Sequence, residues 1–143
     1  MSVSEKPFLV VTIPAYNEEA TLKKVIESVP SHIDGIGKIR ILVVDDGSTD
    51  LTASIARQAG AGVVSNGVNR GLAYTFSHAL DAALELGADI IVNTDADNQY
   101  DQSEIPSLIK PILEKRADMV LGSRFKGKIE SMPFSKKCGN KFA

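Results

Sequence analysis

Short apolar runs rich in β-branched residues alternate along the chain with helix-like patterns, and this alternation restricts the fold more than any single residue does. Residues 8–14 (FLVVTIP) and 39–44 (IRILVV) run on without regular polar alternation, as expected of strands buried on both faces. Residues 62–65, 89–94 (DIIVNT) and 118–121 (DMVL) read as further strands. Leu22, Val25, Ile26 and Val29 recur at helical spacing, with Asn17 as the expected cap and Pro30 as the stop. Ser48 or Thr49 is expected to cap a short second helix through Ala59, stopped by Gly60. Leu72, Ala73, Phe76, Ala79, Leu80, Ala83 and Leu84 make one apolar face of a third helix, closed by Gly87. Residues 103–115 read as a fourth, with Pro111 expected to kink it. Strands and helices alternating at these lengths imply right-handed crossovers and a Rossmann-like α/β fold, a mainly parallel sheet with helices on both faces.

Charge and cysteine content narrow the class. The 143 residues suit one domain with a real core, and a net charge of −2 leaves no footprint for wrapping nucleic acid. Cys138 is the single cysteine, so no internal disulfide can form and a reducing, cytoplasmic setting fits. No apolar run approaches the ~18 residues of a membrane helix, and residues 1–7 do not make a signal peptide. Lys126, Lys128, Lys136, Lys137 and Lys141 stand against Glu130 alone, without helical or strand period. These lysines are expected to be solvated, although such a stretch could touch the inner, anionic face of a membrane.

In open parallel sheets, ligands bind beyond the carboxyl ends of the strands. Pro14, Tyr16, Asn17, Glu18 and Glu19 follow the first strand, residues 45–50 (DDGSTD) the second, and Asp95, Asp97, Asn98 and Gln99 the fourth. Carboxylates converging on one edge repel each other unless a cation or hydrogen-bond donors lie between them. Asp95, Asp97 and Gln99 form an all-oxygen set suited to Mg²⁺ or Mn²⁺ shared with substrate phosphates, and the absence of nearby His or Cys argues against zinc. The bland alternative is a solvated turn of Asp and Asn; the position after a buried strand, beside two other polar clusters, favours the metal. Asp46 could accept the imide or amide N–H of a uracil or guanine, or could only order its own turn or a helix N-terminus. Asp45 and Asp50 are expected to do only the latter. Tyr16 could stack on a base or simply pack.

Other motifs do not carry chemistry. Residues 60–65 lack the third glycine of a dinucleotide loop and precede a strand, and no phosphate-loop Gly-Lys-Ser/Thr is present. His32 and His78 have no partners at metal spacing and read as structural or surface residues, and neither Ser77 nor Ser123 lies in a nucleophile elbow. An aspartate-based phosphatase also places Asp-x-Asp after a buried strand, but usually early in the chain.

The stretches 11–19 (VTIPAYNEE), 41–52 (ILVVDDGSTDLT), 69–73 (NRGLA), 91–99 (IVNTDADNQ) and 121–124 (LGSR) resemble, in order and spacing, the family-2 inverting glycosyltransferases of the glycosyltransferase A fold. Within that family the chain is most similar to the polyprenyl- or dolichyl-phosphate sugar synthases. The resemblance implies that Pro14, Tyr16, Glu18 and Asp46 hold the nucleoside of a nucleotide-diphosphate sugar, of the GDP-mannose or UDP-glucose type. It implies that Asp95, Asp97 and Gln99 hold Mg²⁺ or Mn²⁺ and the diphosphate, and that Arg124 approaches the phosphates of the donor or of a lipid-phosphate acceptor. Asp97 and Arg124 are the expected catalytic residues. Residues 1–125 would form the nucleotide-sugar-binding unit and 126–143 a basic linker or the truncated start of an acceptor region. Such enzymes continue well beyond this length, so the expectation is a donor-binding part, as an enzyme or as a binding module without turnover. Oligomeric state is not legible.

Overall fold

The computed structural model of the chain describes residues 5–123. Its centre is a sheet of four parallel strands: β1 (Phe8–Ala15), β2 (Lys38–Asp45), β3 (Gly62–Ser65) and β4 (Ile90–Asn93), in the order β3-β2-β1-β4. β1 is central, paired over its whole length with β2 and over residues 9–12 with β4. That explains its apolar run, since a strand covered on both faces cannot alternate. Between the strands lie α1 (Leu22–Ser28), α2 (Thr52–Gln58) and α3 (Leu72–Glu85). A 3-10 turn at Gln102–Glu104 leads into α4 (Ile105–Leu113).

The pleat divides the core into two layers. Leu9, Val11, Ile13 and Val43 point to the face that holds Leu22, Val25 and Ile26 of α1, Ala56 of α2, and Ile105 and Ile109 of α4. Val10, Leu42 and Val44 point to the other face and meet Ala79, Ala82 and Ala83 of α3. Helices on both faces of a parallel sheet are the expected Rossmann-like arrangement.

Several local expectations are corrected. Asn17 does not cap α1: it sits in the left-handed region at φ +53°, the helix starts at Leu22 behind Thr21, and the Asn17 side chain serves the β2 turn instead. Neither Ser48 nor Thr49 caps α2, which starts at Thr52; Asp50, two residues ahead, accepts the Thr52 N–H at 2.9 Å. Gly60 and Gly87 close their helices with positive φ, as expected. α3 turns its small residues inward, so Leu72, Phe76 and Leu84 of the expected apolar face lie exposed. The fourth helix is shorter than expected, with its first residues in the tighter 3-10 form, and it continues through Pro111. Residues 118–121 pair with no strand among the described residues. They run beside the open edge of β4, across a groove of about 500 Å³ lined by Phe76, Leu80, Ile91 and Ile112, with Met119 and Leu121 exposed. An apolar run marks a buried strand only where something covers both its faces, and the described residues do not supply that cover.

Candidate functional site

The carboxyl ends of the strands feed loops that are tied to one another by side chain to backbone hydrogen bonds. After β1, the Asn17 N–H donates to Ser48 Oγ at 3.0 Å while Thr49 N–H donates to Asn17 Oδ1 at 2.9 Å. The Glu18 N–H donates to Thr52 Oγ1 at 2.8 Å, the Glu19 N–H to Asp50 at 3.2 Å, and the Leu51 N–H back to Glu19 Oε2 at 3.0 Å. The Thr21 hydroxyl lies 2.8 Å from the Ala96 carbonyl and 2.8 Å from a Glu18 carboxylate oxygen, linking the start of α1 to the turn after β4. Asp45 accepts from Ser48 N–H and from the Ser65 hydroxyl, joining β2 to the end of β3.

Asp46, like Asp50, accepts three hydrogen bonds. It is buried, and its Oδ1 accepts from the Asn66 side-chain amide at 2.7 Å and the Arg70 N–H at 2.8 Å, while Oδ2 accepts from the Gly71 N–H at 2.9 Å. Burial pushes its carboxyl up. The Arg70, Asn66 and Gly71 hydrogen bonds, with the Thr75 hydroxyl, outweigh that and hold it below the ordinary 3.8. Asp50 follows the same logic, raised by burial but held low by the Thr52 hydroxyl and the Thr52 and Glu19 backbone N–H groups. Donors thus lie between most of the converging acids. Internal hydrogen bonds satisfy Asp45, Asp46 and Asp50, so none of them needs a cation. Gly47 makes this packing possible: at φ +73°, a Cβ there would lie 2.5 Å from the Val68 carbonyl carbon.

The loops enclose a cleft of about 360 Å³. It is lined by Pro14, Tyr16 and Glu18 from β1 and the loop after it, Asp46 after β2, Thr75 of α3, and Asp95 with Asp97 after β4. Gly71 and Leu72, at the N-terminus of α3, also line it. Asp97 Oδ1 accepts the Gln99 N–H at 3.0 Å across a tight turn with Asn98 at φ +60°. Among the described residues, no three His, Cys, Asp or Glu side chains group closely enough to hold a metal by themselves. Asp95 and Asp97 can still supply two hard oxygen donors, which suits an ion that completes its shell with ligand phosphates and water and does not suit a closed zinc site.

Known proteins match the stretch of chain that forms this cleft. The profile of glycosyl transferase family 2 matches residues 10–138. This chain belongs to glycosyl transferase family 2. It is similar to a UDP-N-acetylglucosamine–dolichyl-phosphate N-acetylglucosaminyltransferase of Methanococcus voltae, 33% identical over 90% of this chain and 57% of the relative. An undecaprenyl-phosphate 4-deoxy-4-formamido-L-arabinose transferase of Edwardsiella ictaluri is 36% identical over 72% of this chain and 33% of that protein. Among solved structures, glucosyl-3-phosphoglycerate synthase of Mycobacterium tuberculosis, in complex with Mn²⁺, UDP-glucose and phosphoglyceric acid, superposes with a TM-score of 0.63 at 33% identity. That superposition covers 75% of this chain and 40% of the synthase. The chain spans a little over half the length of the archaeal curated relatives that it matches most extensively.

Within this family-2 fold, the sequence-derived candidates Pro14, Tyr16, Glu18, Asp46, Asp95 and Asp97 all line the one cleft. Tyr16 is 46% exposed on the cleft wall, which sets aside its reading as core packing. Gln99 does not line the cleft; its backbone N–H orders Asp97. Arg124 lies outside the described residues. Asn66, Asn69, Gly71 and Thr75 escaped the sequence-derived set, although Asn69, Gly71 and Thr75 line the cleft and Asn66 holds Asp46. The turn-rich segment 66–71 follows the carboxyl end of β3, and the rule that selected the other loops would have selected it too.

Proposed function

We propose that this chain forms the donor site of a glycosyltransferase that takes its sugar from a nucleotide-diphosphate sugar. One observation carries the reading: Asp46, Asp95 and Asp97, which follow different strands, line the same cleft. In this reading the nucleoside lies along Pro14, Tyr16 and Glu18, with the base edge at Asp46, and the diphosphate lies at Asp95 and Asp97, with Gln99 beside them. The names of the relatives support a uridine nucleotide as donor and a lipid phosphate as acceptor; GDP-mannose is the other donor type to test.

Asp95 and Asp97 would hold Mg²⁺ or Mn²⁺, which supplies positive charge against the diphosphate as it leaves. The acceptor oxygen forms its bond to C1 of the sugar on the face opposite the departing diphosphate oxygen, which inverts C1. An ionised lipid phosphate is already a nucleophile and needs little help from a general base. Arg124 would meet phosphate oxygens, donor or acceptor, as a bidentate donor. Residues 1–125 would form the donor unit, and 126–143 a basic linker or the truncated start of an acceptor region. The described residues contain no helix long and apolar enough to cross a membrane.

Because the matched relatives are longer, the test addresses binding. In calorimetric titration with UDP and with GDP, the chain should bind one of them saturably in Mn²⁺, and lose most of that affinity in EDTA and in Asp97→Ala. Equal binding with and without Mn²⁺ would remove the metal from the proposal, and failure of a folded chain to bind either nucleotide would remove the donor site.

A further inference from the structure

We propose that Asn66 and His78 form a positioning pair that holds Asp46 for base recognition. The proposal rests on the reading of Asp46 as the base-binding carboxylate. Both residues lie outside the sequence motifs, and nothing in the local sequence around His78 marks it as more than a structural or surface residue.

The hydrogen bonds leave no freedom in the arrangement. The Asn66 side-chain amide has two N–H bonds, and both are used: Nδ2 donates to Asp46 Oδ1 at 2.7 Å and to Thr75 Oγ1 at 2.9 Å. Flipping that amide would put its carbonyl against an anionic carboxylate, so Asp46 sets its orientation. The Asn66 carbonyl then faces His78 Nδ1 at 2.6 Å, and the ring must present a proton there. The neutral ring is thereby fixed in its Nδ1–H form, and the imidazolium also donates from Nδ1, so the contact survives either charge state. Tyr74 meets the ring edge-on with centroids 6.2 Å apart, and Arg70 lies over Tyr74 at 5.1 Å, which backs the imidazole.

The consequence falls on the oxygens of Asp46. Oδ1 takes two donors, Asn66 and the Arg70 N–H, and Oδ2 takes the Gly71 N–H; with the Thr75 hydroxyl also acting on the carboxylate, its two oxygens still have lone-pair positions for one more donor. A carboxylate pinned in this way accepts the imide N–H of uracil or the amide N–H of guanine. Cytosine presents a lone pair at the corresponding ring nitrogen, which a fixed anion opposes. Without Asn66 or its His78 support, the carboxylate can turn, and the discrimination weakens.

The test measures affinities for UDP, GDP and CDP in Mn²⁺, with thermal unfolding of each variant. Wild type should prefer UDP or GDP over CDP, and Asp46→Asn should abolish the preference. Asn66→Ala and His78→Leu should each shrink the ratio by about tenfold, the scale of one charge-assisted hydrogen bond. His78→Asn, whose amide N–H can replace Nδ1–H, should restore it. If either loss variant fails to fold, the tautomer of His78 in the wild-type chain decides: long-range ¹H–¹⁵N correlation should show the Nδ1–H form. An Nε2–H ring overturns the pair, as does a wild-type ratio retained in both Asn66→Ala and His78→Leu. A wild-type chain that does not discriminate, or is indifferent to Asp46→Asn, overturns the base-recognition reading itself and the inference with it.

Discussion

At Asp46, a buried carboxylate is kept ionised by donors that come mostly from backbone fixed elsewhere in the fold. Its folded value lies below 3.8, so it stabilises the fold above that pH, and the contribution disappears as pH falls through the folded value. Asp46→Asn should therefore lose more stability at pH 7 than at pH 2.5, in urea unfolding followed at both; an equal loss would mean that the charge is not what the donors hold. The glycines allow a comparison at the same scale. Gly47 and Gly60 both have strongly positive φ, but a Cβ on Gly60 meets nothing within 4 Å, while on Gly47 it strikes the Val68 backbone. Gly60→Ala should cost about 1–2 kcal/mol, the conformational term alone. Gly47→Ala should cost roughly 3 kcal/mol or more, because overlap is added, and should also weaken nucleotide binding by displacing the Val68–Asn69 backbone beside the cleft. Thermal unfolding of the two variants orders them.

The strands are the most legible elements in the sequence and the helix starts the least, for one physical reason. A strand such as β1 announces itself by composition, because Leu9, Val10, Val11 and Ile13 must be apolar whichever face they meet. A cap is a hydrogen bond, and its partner can come from another part of the chain. Asn17 bonds the turn after β2 instead of its own helix, which no local pattern can reveal. α3 shows a second limit of periodicity. Its seven apolar positions form a face, yet the sheet is met by Ala79, Ala82 and Ala83, because small residues let the helix approach closely, while Leu84 stays 60% exposed. Ala79→Leu should therefore destabilise by about 1–3 kcal/mol through overpacking. Leu84→Lys should change stability by no more than about 0.5 kcal/mol. Comparable losses in denaturant titrations would mean that Leu84 is covered in solution.

Across the whole molecule, parallel strand order does the gathering. With β1 between β2 and β4, the loops after all three strands open on one edge, so residues 30 to 80 positions apart in sequence share a cleft. This is why the site is largely legible in the sequence: the acids follow apolar runs, and topology does the rest. The sequence does not reveal which acids are already satisfied. Asp45, Asp46 and Asp50 resemble Asp95 and Asp97 there, and only the folded loops show how many donors the first three receive. In the proposed donor site, Asp95 and Asp97 make an incomplete cation site that a nucleoside diphosphate completes. The most direct measurement is paramagnetic broadening of backbone amide signals by substoichiometric Mn²⁺, without and with UDP or GDP. Broadening should be weak without nucleotide and should become strong, centred on residues 95–97 and reaching Gly71, when the bound nucleotide is present. Broadening equally strong without nucleotide, or centred at the amino ends of the strands, would contradict that proposal.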